Sequence, residues 1–412
     1  MKFIIITCFL ILSALGANAV SDFDSAFGRV PTVSQKEAEA IKDAATAPDA
    51  KSALTVLKSA SENQWAGAGI FFNLANLYAA EQNYDMAISN YKKSLEKLPS
   101  FFMAQKNLGF VYAKNGNLEL AYSELKKALA LSGGSDTDIL LWLTSRYADC
   151  GDFTAALSCC NQALIYSPMS HSAQIAKARI LLELGMFKES QWLCQKLLAD
   201  NIKDSDALST LILARAKNGD YIGSIAACRL LKALHDSAKL PLNLGDLYYN
   251  VGLYSNAVDC YSKDGNQDKT INALLAMIYS DDAQNALKYC PKISSSVSHK
   301  LQAFALSVMG KKKEAFDEFA AYFKTDPDDS VAANFYAQLA LEQKEYQIAE
   351  EFFTRAMSDT KLEISAMYGL MRVAIARDDT SEALKIARRI FAKTKNLELQ
   401  SYIKYLDEQS SQ

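Results

Sequence analysis

The stretch GIFFNLANLYAAEQNYDMAISNYKKSLEKLP, Gly69–Pro99, decides the fold. Phe71, Leu74, Ala75 and Tyr78 recur at the three- and four-residue spacing of one helix face. Gln82-Asn83-Tyr84-Asp85 interrupts that face, and Ala87, Tyr91 and Ser94 start a second stripe that stops at Pro99. The stretch reads as helix, short turn, helix, stop.

The pattern returns 34 residues later in MAQKNLGFVYAKNGNLELAYSELKKALALSG, where Leu108, Gly109, Tyr112, Gly116, Ala121, Leu125 and Ala128 take the equivalent places. A third unit, ILLWLTSRYADCGDFTAALSCCNQALIYSP, supplies Leu143, Tyr147, Gly151, Ala156, Cys160, Ala163 and Pro168. A period of this length is the mark of a stacked-hairpin array. The chain resembles the tetratricopeptide repeat family. That family has a large residue at place four of each repeat, leucine at seven, glycine at eight and tyrosine at eleven. Its turn carries a glycine at fifteen, its second helix has alanines at twenty and twenty-seven around an aromatic at twenty-four, and a proline closes at thirty-two. Small residues let the two helices approach, large ones fill the gap between hairpins, and the turn glycine tolerates positive φ. The resemblance implies an all-α fold, a right-handed superhelical solenoid of antiparallel helix pairs.

The register predicts repeat starts near 68, 102, 137, 171, 205 and 238, then 296, 330 and 364. The organisation read from it is a signal peptide at 1–19, a flexible segment at 20–33 and a degenerate capping repeat at 34–67. A regular array of about six repeats spans 68–265. A shortened irregular repeat at 266–295 ends early at Pro291, marking either a bend or a meeting of sub-domains. Three repeats follow at 296–395, and 396–412 forms a capping helix and tail with Leu397, Ile403 and Leu406 as apolar contacts.

The signal-peptide reading rests on MKFIIITCFLILSALGANA: one lysine, an apolar run from Phe3 to Leu15, and Ala17-Asn18-Ala19 as the cleavage site. The run is short for a membrane span, so export to the periplasm is expected, with an uncleaved membrane anchor as the alternative. No later run suggests a span. The net charge of −3 and the lack of a basic block exclude a nucleic-acid binder.

Catalytic and metal chemistry find little support. His171, His235 and His299 stand apart from any cysteine or carboxylate cluster at ligand spacing. Asp326-Pro327-Asp328-Asp329 lacks the glycine and distal glutamate of a calcium loop and reads as an inter-repeat joint. No nucleophile elbow, phosphate loop or dinucleotide fingerprint occurs, so no catalytic residue, cofactor or metal is expected. Beyond the leader lie Cys150, Cys159, Cys160, Cys194, Cys228, Cys260 and Cys290. Cys160, Cys194 and Cys228 are spaced by 34 residues and occupy the aromatic place, which predicts packing. Neighbouring helices lie ~9–10 Å apart, too far for a disulfide between equivalent places. A bridge between other pairs stays open.

The family lines its groove with first-helix places two, five, nine, twelve and thirteen. Carried over, these are Phe72, Asn76, Lys106, Phe110, Lys114, Leu141, Ser145, Arg179, Leu213, Lys217, Asp246, Tyr249 and Asn250. Phe72 and Phe110 either offer aromatic faces to a peptide or pack along the groove floor. The carboxylate clamp of chaperone-binding relatives is rejected: Asn76 and Asn107 match its asparagines, but Phe72, Asp138 and Trp142 stand in its cationic places. The expected function is a non-catalytic interaction scaffold of the bacterial envelope, binding a peptide or partner domain. FFNLANLYAAEQNYDMAISNYKKSLEKLPSFFMAQKNLGFVYAKNG and LPLNLGDLYYNVGLY are similar to exported repeat proteins that accompany TonB/ExbB–ExbD-type transport. The alternatives are an assembly factor for secretion or pili and a regulator of an envelope enzyme.

Overall fold

A computed structural model describes residues 30–293 and 295–409. The expected signal peptide and most of the segment after it lie outside the described residues. Among the described residues are 23 α-helices, one 3-10 turn and no strand. The chain divides into two compact units, one up to Ala214 and one from Arg215 on.

The first unit opens with the short pair α1 (Gln35–Ala45) and α2 (Ala50–Ser61). Buried Glu37 ties this cap to the array: its carboxylate accepts from the Ser34 and Gly67 backbone N–H groups at 3.0 and 2.8 Å. Then come α3 (Ala68–Ala80), α4 (Tyr84–Lys97), α5 (Phe102–Lys114), α6 (Leu118–Leu131), α7 (Thr137–Asp149), α8 (Phe153–Tyr166), α9 (His171–Glu183), α10 (Phe187–Asp200) and α11 (Ser205–Lys217), inside which the unit ends. First helices have 13 residues and second helices 14 without exception from α3 to α11. Their starts at 68, 102, 137, 171 and 205 are those of the expected register. Place twenty is Ala87, Ala121, Ala156 and Ser190, all fully buried, so neighbouring backbones come close where the side chains are small.

The second unit holds α12 (Tyr221–Leu234), α13 (Leu244–Val251), α14 (Tyr254–Lys263), α15 (Gln267–Tyr279), α16 (Ala283–Tyr289) and a 3-10 turn over Cys290–Lys292. It continues through α17 (Ser295–Val308), α18 (Lys312–Phe323), α19 (Ser330–Glu342), α20 (Tyr346–Ala356), α21 (Glu363–Ala376), α22 (Thr380–Thr394) and α23 (Leu397–Gln409). The irregularity begins earlier than 266. Where a helix was expected near 238, the chain is non-helical until Asn243 caps α13, which has 8 residues against 10 for α14. Pro241 explains the delay, since it restricts Leu240 to extended backbone. At the far end, Leu397 is 74% exposed and Leu399 makes the buried contact instead, with Ile403 partly buried beside it.

Turn geometry repeats with the register. Gly116, Gly151, Gly185 and Gly310 all adopt positive φ. Gln82, Lys344 and Asp378 hold the same place with φ of 62°, 65° and 57°, so the turn survives loss of its glycine. The seven described cysteines are free thiols. Cys160, Cys194 and Cys228 are buried, and the Cys160 thiol donates to the Ala173 carbonyl at 3.0 Å. Burial pushes Cys160 and Cys228 up to about 11 and Cys194 up to about 12. Because the thiolate is the reacting form, exposed Cys150 should label with a maleimide at least ~100-fold faster than these three. Peptide mapping after timed quenching reads this, and comparable rates in the native chain would refute the packing assignment.

Candidate protein-binding groove

In the first unit, several of the expected groove residues are engaged by neighbouring side chains of the array. Phe72 is 6% exposed, its ring 4.8 Å from that of Phe101 and 6.1 Å from Tyr91. Of the two readings it takes the floor, because the apolar Phe101 at the next helix start covers it. Asn76 Oδ1 accepts from the Tyr91 hydroxyl and, at 3.0 Å, from Asn107 Nδ2. Burial raises the Tyr91 phenol, keeping it a neutral donor.

Lys106 Nζ lies 2.8 Å from both Asp136 and Asp138. The rings of Phe102 and Phe110 flank it at 6.0 Å. Burial opposes its charge, but the two carboxylates outweigh that and raise its pKa. Arg179 likewise pairs with Asp206 at 2.6 Å. Neither cation is a free handle for a ligand: each bridges to the start of the next hairpin. Phe110 and Leu141 remain half-buried, and Lys114 and Ser145 are exposed.

The second unit gathers a more open site. Asp246 on α13 accepts from Lys269 Nζ at 2.7 and 2.9 Å and from the Tyr261 hydroxyl at 2.7 Å. Burial pulls the Asp246 carboxyl upward, yet these bonds hold it below the ordinary carboxylate range. Burial and the adjacent carboxylate raise the Tyr261 phenol. Around this charged floor, Tyr249, Asn272, Leu275, Ala276 and Tyr279 wall a cavity of 450 Å³. Tyr279 is 61% exposed, and Tyr249 meets Tyr254 edge-on at 5.4 Å. Asn250 is exposed and donates to the Asp246 carbonyl at 2.8 Å. The cavity presents two phenols and an amide above a neutralised ion pair, a surface for apolar and hydrogen-bonding groups.

Asp246 and Tyr249 were expected here; Tyr261, Lys269, Asn272 and Tyr279 were not. The signal lay in α15, read only as part of an irregular repeat. Counted as a first helix from Gln267, it puts Leu275 and Tyr279 at places nine and thirteen.

Hairpins of 13- and 14-residue helices, small at their crossings and carrying aromatic and amide side chains along the first helices, define an all-helical repeat fold. Residues 72–136 match the family model of the tetratricopeptide repeat. No curated protein matches the chain. Among solved structures it is similar to YrrB, a TPR protein with an unusual peptide-binding site, at 19% identity over 44% of this chain and 93% of that one, TM-score 0.40. It is also similar to a tetratricopeptide repeat protein from Parabacteroides merdae, at 16% identity over 66% and 98%, TM-score 0.41. A third is PilW, a type IV pilus biogenesis factor, at 17% identity over 55% and 99%, TM-score 0.38.

Proposed function

We propose that the chain is a non-catalytic scaffold whose second unit holds a peptide segment of a partner protein between Tyr249 and Tyr279. The observation that carries this is the 450 Å³ cavity, whose charges are already paired while its phenols stay accessible. A neutralised floor disfavours a ligand that brings a single charge, and aromatic walls favour an apolar anchor with backbone amides on either side. The proposed setting is the bacterial envelope, with TonB-type transport components as partners. It rests on the N-terminal sequence pattern, and no helix among the described residues is long and apolar enough to cross a membrane.

Photo-crosslinking in intact cells tests both layers. A benzophenone amino acid at position 249 or 279 should trap one shared partner peptide, and one at exposed position 119 should not. Identical products at all three positions, or none, would refute the groove reading. Tyr249→Ala with Tyr279→Ala should weaken capture of that peptide at least ~10-fold, as expected for paired aromatic anchors. A partner unrelated to envelope transport would remove the transport assignment and leave the scaffold standing.

A further inference from the structure

A cleft in the first unit lies between the second helices α8 and α10 with α9 as its floor. Its volume is 690 Å³. The register explains why it opens here. Places four, seven and eleven fill the space between hairpins as Phe71, Leu74 and Tyr78 in the first repeat, and as Leu140, Leu143 and Tyr147 in the third. In the repeat of α9 they are Gln174, Lys177 and Leu181. The aromatic place beneath is Cys160 on one side and Cys194 on the other. Leu181 still packs at place eleven, but places four and seven carry polar chains where the other joints have apolar bulk.

The walls left behind are apolar: Leu157 and Leu164 on α8, and Met186, Trp192 and Leu193 around α10. Trp192 is 64% exposed, an indole left in water beside an unfilled apolar cleft. Lys177 and Lys188 line the cleft, and Lys196 lies 5.8 Å from the Trp192 ring. Among the described residues none of the three makes an ion pair, and Glu189 is the one carboxylate on the lining. That sets this surface apart from the first-helix row, where Lys106 and Arg179 are neutralised.

We propose that this cleft docks an acidic amphipathic helix of a partner protein, its apolar face on Leu164, Met186 and Trp192 and its carboxylates on Lys177, Lys188 and Lys196. Helices of 14 residues on either side give a trough ~21 Å long, room for about four turns. Apolar side chains at i, i+3, i+4 and i+7 meet the trough, and the flanking lysines select the sign of the opposite charges.

The test uses the full chain and a labelled synthetic helix with leucines at those four positions and glutamates elsewhere, read by fluorescence anisotropy. A companion peptide carries lysine for each glutamate. The acidic helix should bind saturably, weaken with added salt, and lose at least ~10-fold in affinity with Trp192→Ala. Lys177→Glu with Lys188→Glu should invert the preference toward the basic helix. Gln174→Phe with Lys177→Leu rebuilds the missing bulk and should abolish binding; if that variant misfolds, the charge reversal still decides. Equal binding of both peptides, no saturable binding, or indifference to charge reversal would overturn the proposal. So would a dimer in sedimentation that Trp192→Ala dissolves, since a second copy would then be the occupant.

Discussion

Gly369→Ala should destabilise the second unit by about 2 kcal/mol, against the usual sign of that substitution in a helix. Gly369 sits inside α21, where exchange to alanine ordinarily gains up to ~1 kcal/mol of helix propensity. Here an added Cβ would lie 2.3, 2.4 and 2.6 Å from three ring atoms of Phe353 on α20. That ring is 1% exposed, so it has no solvent side to retreat to. Moving it by more than 1 Å in a close-packed joint costs about 3 kcal/mol, which outweighs the propensity gain.

The defect falls on the joint between consecutive hairpins. In a repeat array that joint couples the units beyond it, so α21 to α23 should lose protection together. Hydrogen exchange would show faster exchange there than in α19, and the thermal midpoint should drop by about 4–8 °C. Phe353→Leu should relieve the contact, making the double variant less damaged than the two singles added. A raised midpoint for Gly369→Ala would mean the approach is not tight.

The same packing logic marks how much could be read in advance. Five repeat starts were legible to the residue because places eight, twenty and twenty-four serve the core, and sterics admit few side chains there. The groove was less legible, since its residues answer to a ligand or to each other. Lys106 holds a groove-lining place, yet Asp136 and Asp138 beside it take up its charge. A rule was present in the chain: a first-helix cation followed 27 to 30 residues later by an aspartate at the next first-helix start. Lys106–Asp136, Arg179–Asp206 and Lys300–Asp329 all obey it. The cleft over α9 was also written in the register, as polar Gln174 and Lys177 in filling places. It went unread because the repeat was recognised by the residues it kept rather than those it lacked.

Asp329→Ala should be the other severe change, lowering the stability of the second unit by about 2–4 kcal/mol. Asp329 is the last residue of the Asp-Pro-Asp-Asp joint, and three helices converge on it. Its Oδ1 accepts from the Ala332 backbone at 2.9 Å, capping α19. Its Oδ2 accepts from Lys300 Nζ on α17 at 2.5 Å and from the Tyr322 hydroxyl on α18 at 2.9 Å. Loss of a cap costs about 1 kcal/mol; the remainder comes from stranding a half-buried ammonium without its partner. Asp326 still accepts from Tyr322, at 3.0 Å, so the phenol is not orphaned. Asp329→Asn keeps a capping oxygen and loses the charge, and should fall between the two.

The pH dependence separates charge from shape. Burial pushes the Asp329 carboxyl up, but the Ala332 amide, Lys300 and Tyr322 outweigh it and hold the group below its ordinary 3.8. A depressed folded pKa means the stabilisation is complete above that ordinary value and fades as pH falls through the folded one. Denaturant titrations of the native chain and Asp329→Asn should therefore differ most at neutral pH and converge below about pH 3.8. A gap that stays constant into acid would assign the loss to packing and remove the ion pair from the account.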